Sequence, residues 1–146
     1  MPNNAPDETK IARLHYAGAA QFVAESPSGH SIVTSFASGD NVTAPTPMEL
    51  LLIALGGCSG ADVASILEKK RQHVSGYDIE VRGERRAQTP RVYTSIAVVH
   101  RVRGRNIDPK AVADAIHLSE TKYCSVSAML SAGTKITMTF EITNEP

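Results

Sequence analysis

Residues 46–71 read TPMELLLIALGGCSGADVASILEKKR. Thr46 can cap a helix, Pro47 suits the first helical position, and Glu49 stands three residues after Thr46, which is the capping-box pattern. Lys69, Lys70 and Arg71 stand at the far end, where cations complement the helix dipole. Between these ends Leu50, Leu51, Leu52, Ile53 and Leu55 cover every side of the helix, whereas an amphipathic surface helix shows one apolar stripe. The pattern therefore predicts a long helix whose first half is buried all round. Gly56 and Gly57 each cost about 1 kcal/mol relative to alanine inside a helix. Either close approach of another backbone or room for a ligand beside Cys58 must offset that cost.

On the N-terminal side, RLHYAG, AQFVAE and SIVTSF look like short strands, with SPSGH as a turn and ASGDNVTAPTP as a loop rich in turn formers. On the C-terminal side, Tyr77, Ile79 and Val81 alternate in GYDIEVRGERRA. Val92, Ile96, Val98 and Val102 alternate in RVYTSIAVVHRVRG, with Thr94 and His100 in the same phase, and AQTPR reads as the hairpin loop between these two strands. Asp108-Pro109 is a helix start, followed by Val112 and Ile116 at i, i+4. CSVSAMLSAG is a second short helix closed by Gly133. KITMTFEI alternates Ile136, Met138, Phe140 and Ile142 as a half-buried last strand. Strands and helices are segregated along the chain, which predicts an α+β fold. Residues 1–9 are expected to form a flexible tail and 10–146 a single domain.

The 146 residues suit one domain with a real core. Fifteen basic and fifteen acidic residues cancel, so no global field draws the chain to nucleic acid or to a membrane surface. The longest fully apolar run, Leu50 to Leu55, is far short of a span, and MPNNAPDETK has no apolar signal region. A cytoplasmic, reducing location is the expectation, in which two cysteines do not default to a structural disulfide.

The chemistry rests on those two cysteines. Cys58 is about eleven residues into its helix, too deep for the dipole to lower its pKa. Cys124 stands at the start of a helix, with Lys122 two residues before it, where free N–H groups favour a thiolate. By spacing alone both remain readable as small buried hydrophobes. No CxxC is present, and His15, His30, His73, His100 and His117 lack ligand spacing, so no metal site is expected. Glu49 is explained by its cap, and His100 by a place in a strand. The sequence contains no GxSxG elbow, P-loop or dinucleotide fingerprint.

TPMELLLIALGGCSGADVASIL together with SETKYCSVSAML resembles the OsmC/Ohr family, the osmotically inducible and organic hydroperoxide resistance proteins, and most of all its YhfA-like branch. The resemblance runs from about residue 11 to 143. It implies an OsmC-like fold, with antiparallel sheets around a long buried central helix, assembled as an intertwined homodimer with active sites at the subunit interface. It implies a thiol-dependent peroxidase in which Cys58 attacks an organic hydroperoxide and becomes a sulfenic acid, and Cys124 resolves it as a disulfide. No cofactor is implied beyond an external thiol or lipoyl reductant. Met48, Leu51 and Leu55, on or near the face of Cys58, are expected to line the substrate path, with Leu52 nearby.

The sequence departs from the hydroperoxide-resistance branch at two points. Met48 follows Pro47 where that branch has a glutamate, and the early-strand arginine has no clear counterpart, Arg13 being merely nearby in sequence. A buried thiol needs a positive partner to ionise, so modest turnover is expected. The alternatives are a non-enzymatic redox-sensing or apolar ligand-binding dimer, and a structural dimer with inert cysteines.

Overall fold

The computed structural model describes residues 5–146. Residues 5–12 form neither helix nor strand, and the first four residues of the expected tail lie outside the described residues. The chain divides into two compact units that part between Leu50 and Leu51.

The first unit is an antiparallel meander of β1 (Arg13–Gly18), β2 (Gln21–Glu25) and β3 (Ser31–Ser35). The β1–β2 turn places Ala19 and Ala20 at φ 50° and 56°, the left-handed pair that a tight hairpin demands and that Asn or Gly usually supplies. Tyr16, Phe22 and Phe36 pack ring against ring, with centroids 5.7 to 6.1 Å apart. The loop returning from a 3₁₀ turn at Gly39–Asn41 is fastened to β3, because the Thr34 hydroxyl and the Ser35 N–H both donate to the Pro45 carbonyl, at 2.9 and 3.1 Å.

The helix α1 (Pro47–Lys69) starts in this unit and continues into the second. Both halves of the capping box form: the Thr46 N–H donates to Glu49 Oε2 at 2.9 Å and the Glu49 N–H to Thr46 Oγ1 at 3.4 Å. In the second unit α1 lies against a sheet ordered β4 (His73–Arg85), β5 (Tyr93–Arg105), β6 (Lys135–Asn144). The hairpin β4–β5 is antiparallel, but β6 runs parallel to β5. The sheet is therefore mixed where antiparallel pairing was expected. The reason lies in the connection, since α2 (Pro109–Leu118) and α3 (Ser125–Leu130) form a crossover that returns the chain to the end where β5 began.

Period-2 alternation buries Ile96, Val98, His100 and Val102 on one face of β5. Val92 and Thr94 share that phase but stay exposed, and Tyr93 is buried in their place. The β4–β5 register slips between Glu84 and Arg85, which reverses the pleat at this end. The core joins Val63 and Leu67 of α1, Val102, Ile107, and Ala111, Val112, Ala115 and Ile116 of α2. The Asp108 carboxylate caps α2 by accepting from the Lys110 N–H at 2.9 Å.

Within the chain α1 buries a single stripe, Leu55, Gly56, Ser59, Gly60, Val63 and Leu67, at helical spacing. Ile53 is 60% and Leu51 37% exposed, so the expected enclosure on all sides is not met by this chain's own sheet. The helix is long and apolar enough to cross a membrane, with an 18-residue window of mean hydropathy 1.9, but here it packs as a core helix on β4 and β5. Two glycines of the stripe set the close approach. A Cβ on Gly56 would stand 3.0 Å from Val81 Cγ2, and one on Gly60 would overlap Ile79 Cδ1. Gly57 faces open space.

Candidate active site

Cys58 and Asp62 are one helical turn apart on α1 and share a face. Cys124 arrives from the other side. After α2 the chain makes a π-helical turn, Ser119–Tyr123, and the Cys124 N–H donates back to the Ser119 carbonyl at 2.8 Å. That wider turn sets Cys124 at the N-cap of α3. The Cys58 sulfur, the Cys124 sulfur and an Asp62 carboxylate oxygen all lie within 4.8 Å of one another.

Serines hold this group in place. The Ser119 hydroxyl donates to Asp62 Oδ2 at 2.9 Å and lies 3.4 Å from Ser59 Oγ. The Ser59 hydroxyl in turn points at the Met138 sulfur, 3.7 Å away. The Ser127 N–H donates to Cys124 Sγ at 3.3 Å. Ser59, Ser119 and Ser127 are all buried, so the Ser119–Ser59 and Ser127–Cys124 contacts are made where water does not compete, while the contact to half-buried Asp62 is only partly shielded.

The two thiols are not equivalent. Both are free, with Cys58 half-buried and Cys124 3% exposed. Burial pushes the Cys124 thiol up to about 11; the Ser127 N–H pulls the other way, while Cys58 and the Asp62 charge add to the rise. The expectation of a helix-terminus thiolate is thus corrected. The backbone donor reaches the sulfur as the sequence suggested, but desolvation outweighs it. Lys122 is exposed and its ammonium sits 5.2 Å from the Tyr123 ring centre.

A cavity of about 370 Å³ opens beside Asp62, lined also by Ile66, Lys69, Lys70, Leu118 and Tyr123 but by neither cysteine. Of the expected lining residues, Leu55 is fully buried, Leu51 is exposed, Leu52 is half-buried, and Met48 is half-buried in the first unit. Glu49 is engaged in the helix cap, and Arg13 belongs to β1 of the first unit. His15, His30, His73 and His117 are exposed. His100 is fully buried on β5, where its Nδ1 and the Tyr77 hydroxyl share a 2.6 Å hydrogen bond. Its Nε2 has no partner among the described residues. The sequence reading passed over Asp62 and Ser119. The i, i+4 spacing of Asp62 from Cys58 was a usable signal, whereas Ser119 had none.

Residues 38–139 match the family described as OsmC-like protein. The chain is 44% identical over 131 residues to Protein YhfA of Escherichia coli K12, covering 90% of this chain and 96% of that one. The crystal structure of a hypothetical protein from Aquifex aeolicus VF5 is similar at a TM-score of 0.85 and 34% identity, over 96% of this chain and 100% of that chain. The organic hydroperoxide resistance protein OhrB of Bacillus subtilis shares the fold at a TM-score of 0.62, with 13% identity over 92% of this chain and 98% of its own. The second motif's cysteine thus returns to the first motif's helix within a fold that peroxide-resistance proteins also use, and the chain belongs to the OsmC-like protein family.

Proposed function

We propose that Cys58 and Cys124 are a redox-active dithiol that reduces organic hydroperoxides. The single observation that carries this reading is the pairing of one accessible and one buried sulfur within 4.8 Å of each other. Cys58 thiolate attacks the outer peroxide oxygen, the O–O bond breaks, and the alkoxide leaves as an alcohol after taking a proton. The resulting sulfenic acid condenses with the Cys124 thiol, forming the S–S bond and releasing water. An external dithiol, free or lipoyl-borne, restores both thiols by exchange. A buried resolving thiol held protonated is protected from direct oxidation, which assigns first attack to Cys58.

The same neighbourhood limits the rate. The charged group beside the two sulfurs is a carboxylate, whose charge adds to the hold on the Cys124 proton and so slows resolution. That observation favours, as a second reading, slow redox sensing by the same pair. The apolar residues Leu51 and Ile53 exposed on α1 support a homodimer in which a second copy covers them. Leu51, two turns before Cys58 on the same face of α1, then offers an apolar approach to Cys58, which favours substrates with hydrocarbon to bury.

The test is the second-order oxidation of Cys58 by cumene hydroperoxide and by hydrogen peroxide, followed by mass spectrometry of the intact chain. Faster reaction with the organic peroxide and a Cys58–Cys124 disulfide product support the proposal. Failure of cumene hydroperoxide to yield that disulfide refutes it.

A further inference from the structure

We propose that reduced Cys58, Asp62 and Cys124 form a binding site for a thiophilic divalent cation of the zinc class, and that oxidation of the two thiols expels the cation. The site was invisible to a search for histidine spacing because its third ligand is a carboxylate one turn along α1 from Cys58.

Three points carry the proposal. The first is the donor set, since two thiolate sulfurs and one carboxylate oxygen suit zinc, while sulfur disfavours magnesium and calcium. The second is distance. Two sulfurs each about 2.3 Å from a tetrahedral zinc are about 3.8 Å apart, and the donor atoms here lie within 4.8 Å of one another, so closure needs a shift of about 1 Å or less. The third is the surrounding shell. A ligating carboxylate is normally held by an outer hydrogen bond, and Ser119 already holds Asp62 at 2.9 Å. The Ser127 N–H does the same for the Cys124 sulfur at 3.3 Å. The fourth position is left for water, and Asp62 also lines a cavity of about 370 Å³.

The cation also accounts for an arrangement that is otherwise unfavourable. A carboxylate and two thiolate sulfurs within 4.8 Å of one another would gather negative charge in one place, and a divalent cation at their centre neutralises it. Binding displaces two thiol protons. When a hydroperoxide oxidises the loaded site, the two sulfurs give up two electrons, the S–S bond forms and the O–O bond breaks. Two protons are taken up, the products are an alcohol and water, and the cation leaves because a disulfide is no longer a thiolate pair.

Binding stands on the reduced chain alone, whereas expulsion rests on the dithiol chemistry proposed above. The experiment keeps the two apart. The full chain, reduced and freed of metal by a chelator, is titrated with Co²⁺, and Zn²⁺ is then added to displace it. One Co²⁺ per chain, with thiolate-to-cobalt charge transfer and the visible bands of a tetrahedral centre, is expected. Asp62→Asn should weaken binding by about tenfold or more, and Cys58→Ser should reduce the charge-transfer intensity, one of the two thiolates being lost. In case Asp62→Asn does not fold, one equivalent of Zn²⁺, but not Mg²⁺, should slow alkylation of wild-type Cys58 at least tenfold. Absence of charge transfer, or no zinc protection, overturns the site, as does undiminished affinity in a folded Asp62→Asn. Cumene hydroperoxide added to the zinc-loaded chain should release one Zn²⁺ per disulfide. Release failing while the metal-free chain still forms the disulfide overturns the expulsion alone, and failure of both forms to yield the disulfide overturns the dithiol reading; either result leaves the cation site standing.

Discussion

Acid should destabilise this protein through a single histidine. His100 is 0% exposed between Val98 and Val102 on β5, and its lateral partners are Ile79 of β4 and Phe140 of β6. Its one polar side-chain contact among the described residues is Tyr77. Burial holds the imidazole down at about 4, against 6.5 for an unburied one. The folded state therefore resists the proton that the unfolded chain accepts, and stability falls as pH drops from about 6.5 towards 4. The full gap of about 2.5 pH units is worth about 3.4 kcal/mol, of which about 2 kcal/mol is expressed by pH 5. Exposed carboxylates titrate nearby, so the comparison must be differential. Urea unfolding of wild type and of His100→Gln, which stays neutral, is measured at pH 7.5, 6.5 and 5.0 and at one protein concentration. Wild type should lose about 2 kcal/mol more than the variant between pH 7.5 and 5.0. Parallel losses in the two proteins would refute the reasoning, because they would place the imidazole in water or beside an anion.

Three further outcomes follow from the site and its scaffold. Cys58→Ser should abolish peroxide consumption and sulfenate trapping, while Cys124→Ser should permit the first oxidation and let Cys58 proceed to sulfinic acid, both read by intact mass. Cys124, with its thiol raised to about 11, should resist iodoacetamide at pH 7.5 and gain reactivity with each unit of pH up to about 10; modification of Cys124 before Cys58 would contradict the assignment of roles. Gly83→Ala places a Cβ 2.6 Å from the Tyr93 ring and 3.1 Å from Leu52 Cδ2, and should cost about 1–3 kcal/mol of stability by overpacking, seen as a lower urea midpoint.

Features whose causes lie within a few residues were legible from the chain. Thr46, Pro47 and Glu49 declare the start of α1, and Asp108-Pro109 that of α2, because a cap is satisfied three or four residues away. Turn formers bounded β1 to β3, and alternation found β4 to β6, since period 2 needs only one buried face. It failed at Val92 and Thr94, where the slipped register next to Arg85 turned the pleat. Chain order also left the direction of β6 open, because only the completed crossover through α2 and α3 decides which end of β5 it meets.

The site divides along the same line. The sequence by itself determined that Cys58 lies deep in an apolar helix, that Cys124 caps a short one, and that the flanking motifs belong together. The tertiary structure decided that the two sulfurs meet, that Asp62 stands beside them, and that Ser119 holds it. It also decided the ionisation of Cys124. A helix N-terminus is a local field and can be read from spacing, but the penalty for burying a charge is summed over every group that excludes water. Those groups come from elements far apart in the chain, and here their sum exceeds the pull of the Ser127 N–H.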